Sequence, residues 1–295
     1  MNTDIPVFAS EMISQDYEIF HVDDFVDSNQ TWFHYHDYYE IHISLTGDAI
    51  FLLDGKQFEI KPGTVLLIHD LDLHRMVSQS TDRFERIFIY LTSQFLQKRS
   101  TTLTDLEKCF YPIGDLRSKV LQLDPETLRD YLFGILQAQT TSRYGEDIKV
   151  EQELIKFLIM LNQTIMRDDF DAQAQEIVGD TLITEVINYI TTHLSDELTI
   201  ESISEHFYLS KNYLSRRFKQ YTKISLHKYI LKKRLIYAKQ LLKKYKSSSE
   251  IYERCGFNSY THFLQCFKKE FNMTPKDFIK KVYNNELIVT RLHQK

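Results

Sequence analysis

A run of imidazole, phenol and carboxyl side chains between residues 32 and 40 is the stretch best equipped for binding chemistry in the first half of the chain. It reads Trp32-Phe33-His34-Tyr35-His36-Asp37-Tyr38-Tyr39-Glu40, and His42 follows. Alternate side chains of an extended strand share one face. On such a strand the common face would carry His34, His36, Tyr38, Glu40 and His42. These nitrogen and oxygen atoms could bind a divalent metal or line a polar pocket.

The residue types also fit a pocket for a small polar molecule. Trp32, His36, Tyr38 and Glu40 combine aromatic faces with hydrogen-bond acceptors, which suits a hydroxylated compound such as a sugar. The same groups suit other polar ligands. A ligand pocket and a metal site are therefore both possible at this stretch, and the ligand's identity stays open.

The charge distribution indicates a second kind of binding, in the C-terminal part of the chain. Residues 181–295 contain 21 Lys and Arg against 10 Asp and Glu, whereas residues 1–180 contain 15 against 31. The overall charge of −5 thus divides into +11 and −16. This division predicts that the C-terminal part binds a polyanion and that the N-terminal part does not.

The composition predicts two folded domains. A chain of 295 residues with 43% hydrophobic and 26% charged residues can bury two cores, which excludes a disordered tail or a fibre. No run of about 18 apolar residues occurs and the first residues lack a signal-peptide pattern, so we expect a cytoplasmic protein that does not enter a membrane. The sparse cysteines, Cys109, Cys255 and Cys266, are expected to be small buried apolar residues.

Glycine spacing and strand-type residues predict a β meander in the N-terminal part. Gly47, Gly55 and Gly63 recur every eight residues, Asp54-Gly55 is a hairpin signal, and Pro62-Gly63 marks the next corner. The predicted strands cover residues 40–45, 49–53, 57–60, 64–68 and 84–90, and they indicate an all-β barrel or sandwich of roughly 90 residues.

Helical spacing of apolar residues begins after about residue 93. Residues 126–139 and 148–166 are predicted helices, and the acidic segment 167–180 is a predicted linker. The apolar stripe within residues 115–166 exceeds what one barrel needs to cover it, so these helices are predicted to pair two subunits; packing against the barrel is the alternative. The expected domains are a barrel over residues 1–110, a helical dimerisation region and linker over 111–175, and an all-α domain over 176–295.

The all-α domain contains an internal repeat at an offset of 48 to 49 residues. Ile203 matches Ile251, Leu214 matches Phe263, and Phe218-Lys219 matches Phe267-Lys268. Each copy reads as a short helix, a tight turn and a basic second helix, the pattern of a helix-turn-helix unit. Ser210 and either Asn258 or Ser259 are the predicted N-caps of the second helices, and a helix over residues 226–245 joins the two copies.

This repeat resembles the DNA-binding domain of the AraC/XylS family of bacterial transcription regulators. The motif that carries the resemblance is Leu209-Ser210-x2-Tyr213-Leu214-x3-Phe218-Lys219, Tyr229-x4-Arg234-x3-Ala238-x2-Leu241-Leu242 and Ile251-x4-Gly256-Phe257-x5-Phe263-x3-Phe267-Lys268-Lys269-x-Phe271-x2-Thr274-Pro275. The resemblance implies a DNA-binding regulator, more often an activator, that contacts RNA polymerase and has no enzymatic activity.

The resemblance also implies individual roles in DNA binding. The implied base contacts are Asn212, Ser215, Arg216, Tyr260, Thr261 and Gln265. The implied phosphate contacts are Ser210, Lys219, Ser259, Lys268 and Lys269. Arg can bind guanine and Asn or Gln can bind adenine, whereas phosphate contacts add affinity without sequence information.

Several positions depart from the family pattern. Ser204 and Tyr252 stand where the family usually has Ala, and Lys223 and Asn272 where it has Gly. Tyr252 is expected to require a repacked second unit. Gln265 stands where Arg is frequent, which removes the expected guanine contact at that place.

The stretch from Trp32 to Glu40, followed by Gly47, Pro62-Gly63 and His74, resembles the sequence pattern of a cupin β-barrel. In cupin enzymes a similar pattern binds a divalent metal, and the matching positions here are His34, His36, Glu40 and His74. Regulators of the AraC/XylS type commonly carry such a barrel as a metal-free effector sensor. We therefore expect no metal and no cofactor, and an effector pocket of Trp32, His34, His36, Tyr38, Glu40 and His74. A metal-dependent enzyme and an effector-independent regulator remain the alternatives.

Overall fold

The chain folds into two compact units, residues 1–179 and 180–295. Their elements are taken from a computed structural model. It describes residues 12–25, 33–53, 56–70, 72–78, 83–113, 118–139, 143–167, 176–177, 180–245 and 250–280. Trp32 and the Asp54-Gly55 hairpin signal lie outside the described residues.

In its described residues, the first unit contains two antiparallel sheets, three α-helices and a short 3-10 helix at Lys108–Phe110. Its strands are β1 Tyr17–Phe25, β2 Tyr39–Ser44, β3 Ala49–Leu53, β4 Lys56–Ile60, β5 Thr64–Ile68, β6 His74–Ser78, β7 Arg83–Leu91, β8 Lys119–Gln122 and β9 Glu176–Ile177. One sheet has the order β1-β7-β2-β5-β8, and the other has the order β6-β3-β4-β9. The helices are α1 Ser93–Arg99, α2 Pro125–Gln139 and α3 Glu146–Ile165.

All five predicted strands of the meander are present, as β2, β3, β4, β5 and β7. Two predictions for the neighbouring segments were wrong in detail. Residues 119–122 form β8, which pairs with β5, so Leu121 belongs to a strand. Glu176 and Ile177, expected in the linker, pair with Phe58 and Gln57 of β4. Both segments are too short for a period-two pattern to reveal a strand.

The apolar stripe of α2 and α3 packs on the barrel of the same chain. Leu128, Leu132, Leu154 and Leu158 are buried in one cluster with the outward-facing residues of β2, β5 and β7. The stripe is therefore largely covered within one subunit, contrary to the surplus inferred from the sequence. Phe133 of α2 remains 65% exposed.

The second unit is all α, as expected. Its helices are α4 Thr181–Thr192, α5 Ile200–His206, α6 Lys211–Thr222, α7 Leu226–Tyr245, α8 Ile251–Arg254 and α9 Tyr260–Phe271. A further helical turn covers residues 275–280. Aromatic residues fill the core, with Phe218, Tyr229, Phe263 and Phe267 at most 1% exposed. No helix of the described residues in either unit is long and apolar enough to cross a membrane.

Candidate effector pocket and DNA-binding surface

The candidate pocket is built on strands whose two faces differ in character. On β2, Ile41 and Ile43 pack toward α2 and α3, while Glu40 and His42 are buried on the opposite face. This alternation follows from the period of two along a strand. Glu40 lies near His74 of β6, so the second face points toward the other sheet.

Three of the residues singled out from the sequence meet at one point. His36 Nε2 lies 2.8 Å from Glu40 Oε2, and His74 Nε2 lies 3.8 Å from the same oxygen. The three side chains are almost fully buried, and their ligand atoms lie within 4.8 Å of one another. Among the described residues, this is the group that could hold a metal ion.

The extended strand considered for residues 34–42 is present only in its second half. Strand β2 begins only at Tyr39, residues 35 and 36 have no regular structure, and a bend lies at Asp37 and Tyr38. His34 makes an isolated bridge to His74 through main-chain hydrogen bonds, and the two rings lie 4.2 Å apart. The bend, rather than strand alternation, brings His36 onto Glu40, and His34 remains outside the group of three.

Burial and neighbouring charges set the ionisation of the pocket. Burial alone raises the pKa of Glu40, but the hydrogen bond to His36 and the nearby imidazoles outweigh it and lower that pKa to about 2. Burial also raises the pKa of the Tyr38 and Tyr90 phenols well above their usual value. The pocket therefore contains a carboxylate acceptor and two protonated phenols.

Aromatic rings cover one side of this polar group. His36 stacks on Tyr38 with ring centroids 4.1 Å apart, and Tyr38 lies 4.6 Å from Tyr90. Flat rings beside hydrogen-bonding groups are typical of sites for small polar ligands. The sequence indicated Tyr38, but not Tyr90.

His42, Arg86, Phe88 and Tyr90 lie beside this polar group, and they were not among the predicted site residues. Arg86 of β7 is buried, donates to Asp24 Oδ1 at 2.8 Å and lies near the Phe88 ring. The His42 ring contacts the same Phe88 ring, and burial lowers the pKa of His42 to about 3 against a smaller opposing effect of the Glu40 charge. Alternation along the predicted strand 84–90 would have placed Arg86, Phe88 and Tyr90 on one face.

The first helix-turn-helix unit consists of α5 and α6. The Ser210 hydroxyl caps α6 by accepting from the Tyr213 amide at 3.3 Å, as predicted. Leu214 and Phe218 are buried. The opposite face carries Asn212, Ser215, Arg216 and Lys219, of which only Ser215 is half-buried and the others are exposed. Spacing by three and four residues places these four side chains on one surface.

The second unit consists of α8 and α9. Ser259, rather than Asn258, caps α9 by accepting from the His262 amide at 3.3 Å. Phe263 and Phe267 are buried. The predicted contacts on this helix are exposed, namely Tyr260, Thr261, Gln265, Lys268 and Lys269.

The departures from the family pattern are accommodated locally. Lys223 and Asn272 both end their helices in the left-handed region, at φ 62° and 53°. Ser204 is buried and donates to the Glu201 carbonyl at 2.9 Å. Tyr252 is half-buried, lies edge-on to Tyr260 at 5.9 Å and donates to Glu253. Its hydroxyl thus stays at the margin of the core.

Several basic residues of α7 have structural roles. Arg234 donates to the main-chain oxygens of Leu194 and Asp196. The Lys239 ammonium lies 4.6 Å from the centre of the Phe271 ring, a cation–π contact. These two basic residues of α7 therefore stabilise the domain, and the exposed cations of α6 and α9 carry the candidate surface.

Comparison with known families decides the assignment of both units. A model described as an AraC-like ligand binding domain matches residues 23–158, and a helix-turn-helix domain model matches residues 203–281. The chain belongs to the AraC family of transcription regulators. It is a DNA-binding regulator with an N-terminal ligand-binding domain.

Similar curated proteins are regulators that match along most of their length. The HTH-type transcriptional activator RhaS of Salmonella agona (strain SL483) is 27% identical over 249 residues, which cover 83% of this chain and 86% of the relative. RhaS of Salmonella schwarzengrund (strain CVM19633) is 28% identical with the same coverage.

Solved structures also match parts of the chain. ToxT from Vibrio cholerae strain SCE256 is 14% identical, with coverage of 90% of this chain and 95% of ToxT and a TM-score of 0.39. The C-terminal domain of AraT from Geobacillus stearothermophilus is 32% identical, with coverage of 34% and 84% and a TM-score of 0.33. Because both TM-scores are below 0.5, the family assignment rests on the sequence matches.

Proposed function

We propose that this regulator reads one asymmetric DNA site with two helices, α6 and α9. The observation that supports this most directly is the pairing, on each helix, of a serine cap with an exposed polar and basic face. Asn212, Ser215 and Arg216 would contact bases in one major groove, and Tyr260, Thr261 and Gln265 in the next. The phosphate contacts would be Ser210, Lys219, Ser259, Lys268 and Lys269.

Binding to selected DNA by the full chain tests this assignment. Arg216→Ala should relax base preference at one position, whereas Lys219→Ala should weaken binding to all sequences and reduce the salt slope by about one. Identical behaviour of the two variants would contradict the division between base and phosphate contacts.

The N-terminal pocket is proposed to bind a small hydroxylated effector, with a sugar as the leading class. Support comes from the Glu40 carboxylate, the protonated phenols of Tyr38 and Tyr90, and the aromatic ring of Phe88. A neutral polyol needs such a mixture of acceptors, donors and apolar faces. Trp32 and His34 are also proposed to contact the effector.

Calorimetric titration of the full chain with a panel of sugars and other polar metabolites tests the effector class. Tyr90→Phe removes one hydroxyl and should weaken binding about two- to tenfold, the worth of one hydrogen bond. Tyr111→Phe is the matched control, because Tyr111 lies on the surface. Absence of binding by every sugar would refute the sugar class, and absence of any ligand would favour an effector-independent regulator.

The effector would act by binding one arrangement of the regulator better than another, so that the DNA-bound population changes.

We further propose that the protein activates transcription through RNA polymerase, forms a homodimer and is located in the cytoplasm. Activation is supported by the named function of the RhaS relatives. Exposed Phe133 supports subunit pairing, and a monomer mass by light scattering at micromolar concentration would contradict it. The alternative of enzymatic activity in the barrel predicts turnover of a bound ligand.

A further inference from the structure

A strained and exposed tyrosine lies in the turn of the first helix-turn-helix unit. Tyr208 has a φ of 55°, in the left-handed region, and its side chain is almost fully in solvent, at 96% exposure. We propose that the Tyr208 hydroxyl donates a hydrogen bond to a phosphate of the DNA backbone, beside the groove that α6 enters. This inference rests on the proposed DNA-binding role of α6, and it adds a contact that the family resemblance does not assign.

The second unit contains the same turn, with glycine at the matching position. In both units the residue with positive φ and the residue after it donate their amides to carbonyls three and five residues back. The distances are 3.1 and 2.8 Å for Tyr208 to Glu205 and Leu209 to Ser204, and 2.8 and 2.9 Å for Gly256 to Glu253 and Phe257 to Tyr252. The φ of Gly256 is 76°. The two turns therefore share one backbone conformation, which glycine adopts without strain and tyrosine does not.

Packing does not explain why the first unit has a tyrosine here. At Gly256 a Cβ would lie 2.3 Å from the Leu194 oxygen, so the second unit has no room for a side chain. At Tyr208 there is room, yet the exposed ring buries almost no surface. Burial of the ring therefore cannot offset the strain of the backbone. Strained residues of this kind cluster at sites that bind ligands.

The surroundings of Tyr208 favour DNA as the partner. Tyr208 stands two residues before Ser210, the cap of α6, and the exposed face of that helix carries Arg216 and Lys219. Residues 181–295 contain 21 basic and 10 acidic residues, a balance that attracts a polyanion. The tyrosine hydroxyl is one of the side-chain donors that hold DNA phosphates, and such contacts fix the position of a protein on the duplex without reading bases.

DNA titrations and melting curves of the full chain test the proposal with three variants. Tyr208→Phe removes only the hydroxyl, whereas Tyr208→Gly removes the side chain together with the strain. Asn272→Gly is the matched control, because Asn272 is also exposed and left-handed, with a φ of 53°, but lies at the C-terminal end of α9. Each protein is titrated with a selected site and with an unrelated duplex over a range of salt, and transcription from a reporter is measured in parallel.

Loss of the hydroxyl should weaken binding to both duplexes equally. We expect Tyr208→Phe to bind roughly 5- to 20-fold more weakly, because a hydrogen bond to a charged acceptor is lost. The salt slope should remain that of the wild type, since a neutral hydroxyl releases no counterion.

Loss of the whole side chain should separate stability from DNA binding. Tyr208→Gly should bind DNA at least as weakly as Tyr208→Phe. It should nevertheless melt about 2–6 °C higher than the wild type, because relief of the left-handed strain outweighs the greater freedom of glycine in the unfolded chain. Asn272→Gly should bind DNA like the wild type.

Three results would overturn the proposal. Tyr208→Gly could be more stable and bind DNA as the wild type does, which would leave the side chain without a DNA contact. Tyr208→Gly could melt below the wild type, which would give the tyrosine a structural role. DNA binding could be unchanged in both Tyr208 variants while reporter transcription falls, which would place the contact on a protein.

The proposed function has a separate readout in the same titrations. If Arg216→Ala and Lys219→Ala change DNA binding while Tyr208→Phe does not, only the tyrosine contact is refuted. If none of the three changes DNA binding, the placement of DNA on α6 fails as well.

Discussion

The serine caps of the two recognition helices allow folding and DNA binding to be separated by substitution. Ser210 accepts a hydrogen bond from Tyr213 N, and Ser259 accepts one from His262 N. Both hydroxyls are exposed at the end of a helix that carries predicted base contacts. The same serines are predicted to contact phosphate, so each has a structural and a DNA-binding role.

The structural cost of losing a cap follows from the geometry. Replacing an N-cap serine by alanine typically costs about 0.5–2 kcal/mol. Both bonds are long, at 3.3 Å, so Ser210→Ala and Ser259→Ala should each cost about 0.5–1 kcal/mol. For a domain of this size, that lowers the melting temperature by roughly 2–8 °C.

Aspartate at the same positions gives the matched comparison. Asp is as good a cap as Ser and also interacts favourably with the helix dipole, so Ser210→Asp should melt close to the wild type. Its charge would face a phosphate, so the variant should bind DNA more weakly, with a salt slope reduced by about one.

Melting curves and salt-dependent DNA titrations of the full chain measure the two effects. Ser210→Ala should change stability more than the salt slope, and Ser210→Asp should do the reverse. Equal DNA affinity of Ser210→Asp and the wild type over a range of salt would refute the placement of a phosphate at this helix end.

Three further predictions concern stability and helix positioning. Gly256→Ala should destabilise the second unit by about 1–3 kcal/mol in chemical denaturation, because φ is +76° and a Cβ would lie 2.3 Å from the Leu194 oxygen; an unchanged midpoint would contradict this. Burial lowers the pKa of Lys119 from 10.5 to about 8. Between pH 8 and pH 10.5 the unfolded chain therefore binds more protons than the folded chain. The free energy of unfolding should rise with pH in that range, by up to roughly 1.4 kcal/mol per pH unit. The Lys119→Met variant should lack this rise when melting is measured as a function of pH. If the stability of the variant and of the wild type depended on pH in the same way, Lys119 would not be the cause. Asp180 caps α4 and binds Arg217 of α6. Asp180→Ser keeps a cap but loses the ion pair, so it should weaken specific DNA binding relative to the wild type; equal affinities of the two by anisotropy would show that the ion pair does not position α6.

The DNA-binding half could be predicted closely because its signals are local. Helical spacing, serine caps and the repeat depend on residues near one another in sequence, and Ser210, Leu214 and Phe218 occupy the predicted places. The left-handed ends at Lys223 and Asn272 also follow from sites where a glycine is usual.

The pocket was only partly predictable because its contacts are distant in sequence. His74 and Arg86 reach the group around Glu40 through the pairing of β3 with β6 and of β2 with β7. The break in extended structure between His34 and Tyr39 gives no periodic signal, so strand alternation alone did not reveal how His36 reaches Glu40. Burial of the apolar residues of α2 and α3 likewise depends on how these helices pack on the barrel, which local sequence patterns do not show.

The central claim is that α6 and α9 read two successive parts of one DNA site. Selection of bound sequences from a random pool by the full chain tests it directly, with Arg216→Ala and Gln265→Ala selected in parallel. We predict a bipartite site whose halves lie about 10 base pairs apart, with each variant relaxing preference in a different half. A single short site, or relaxation of the same bases by both variants, would contradict the claim.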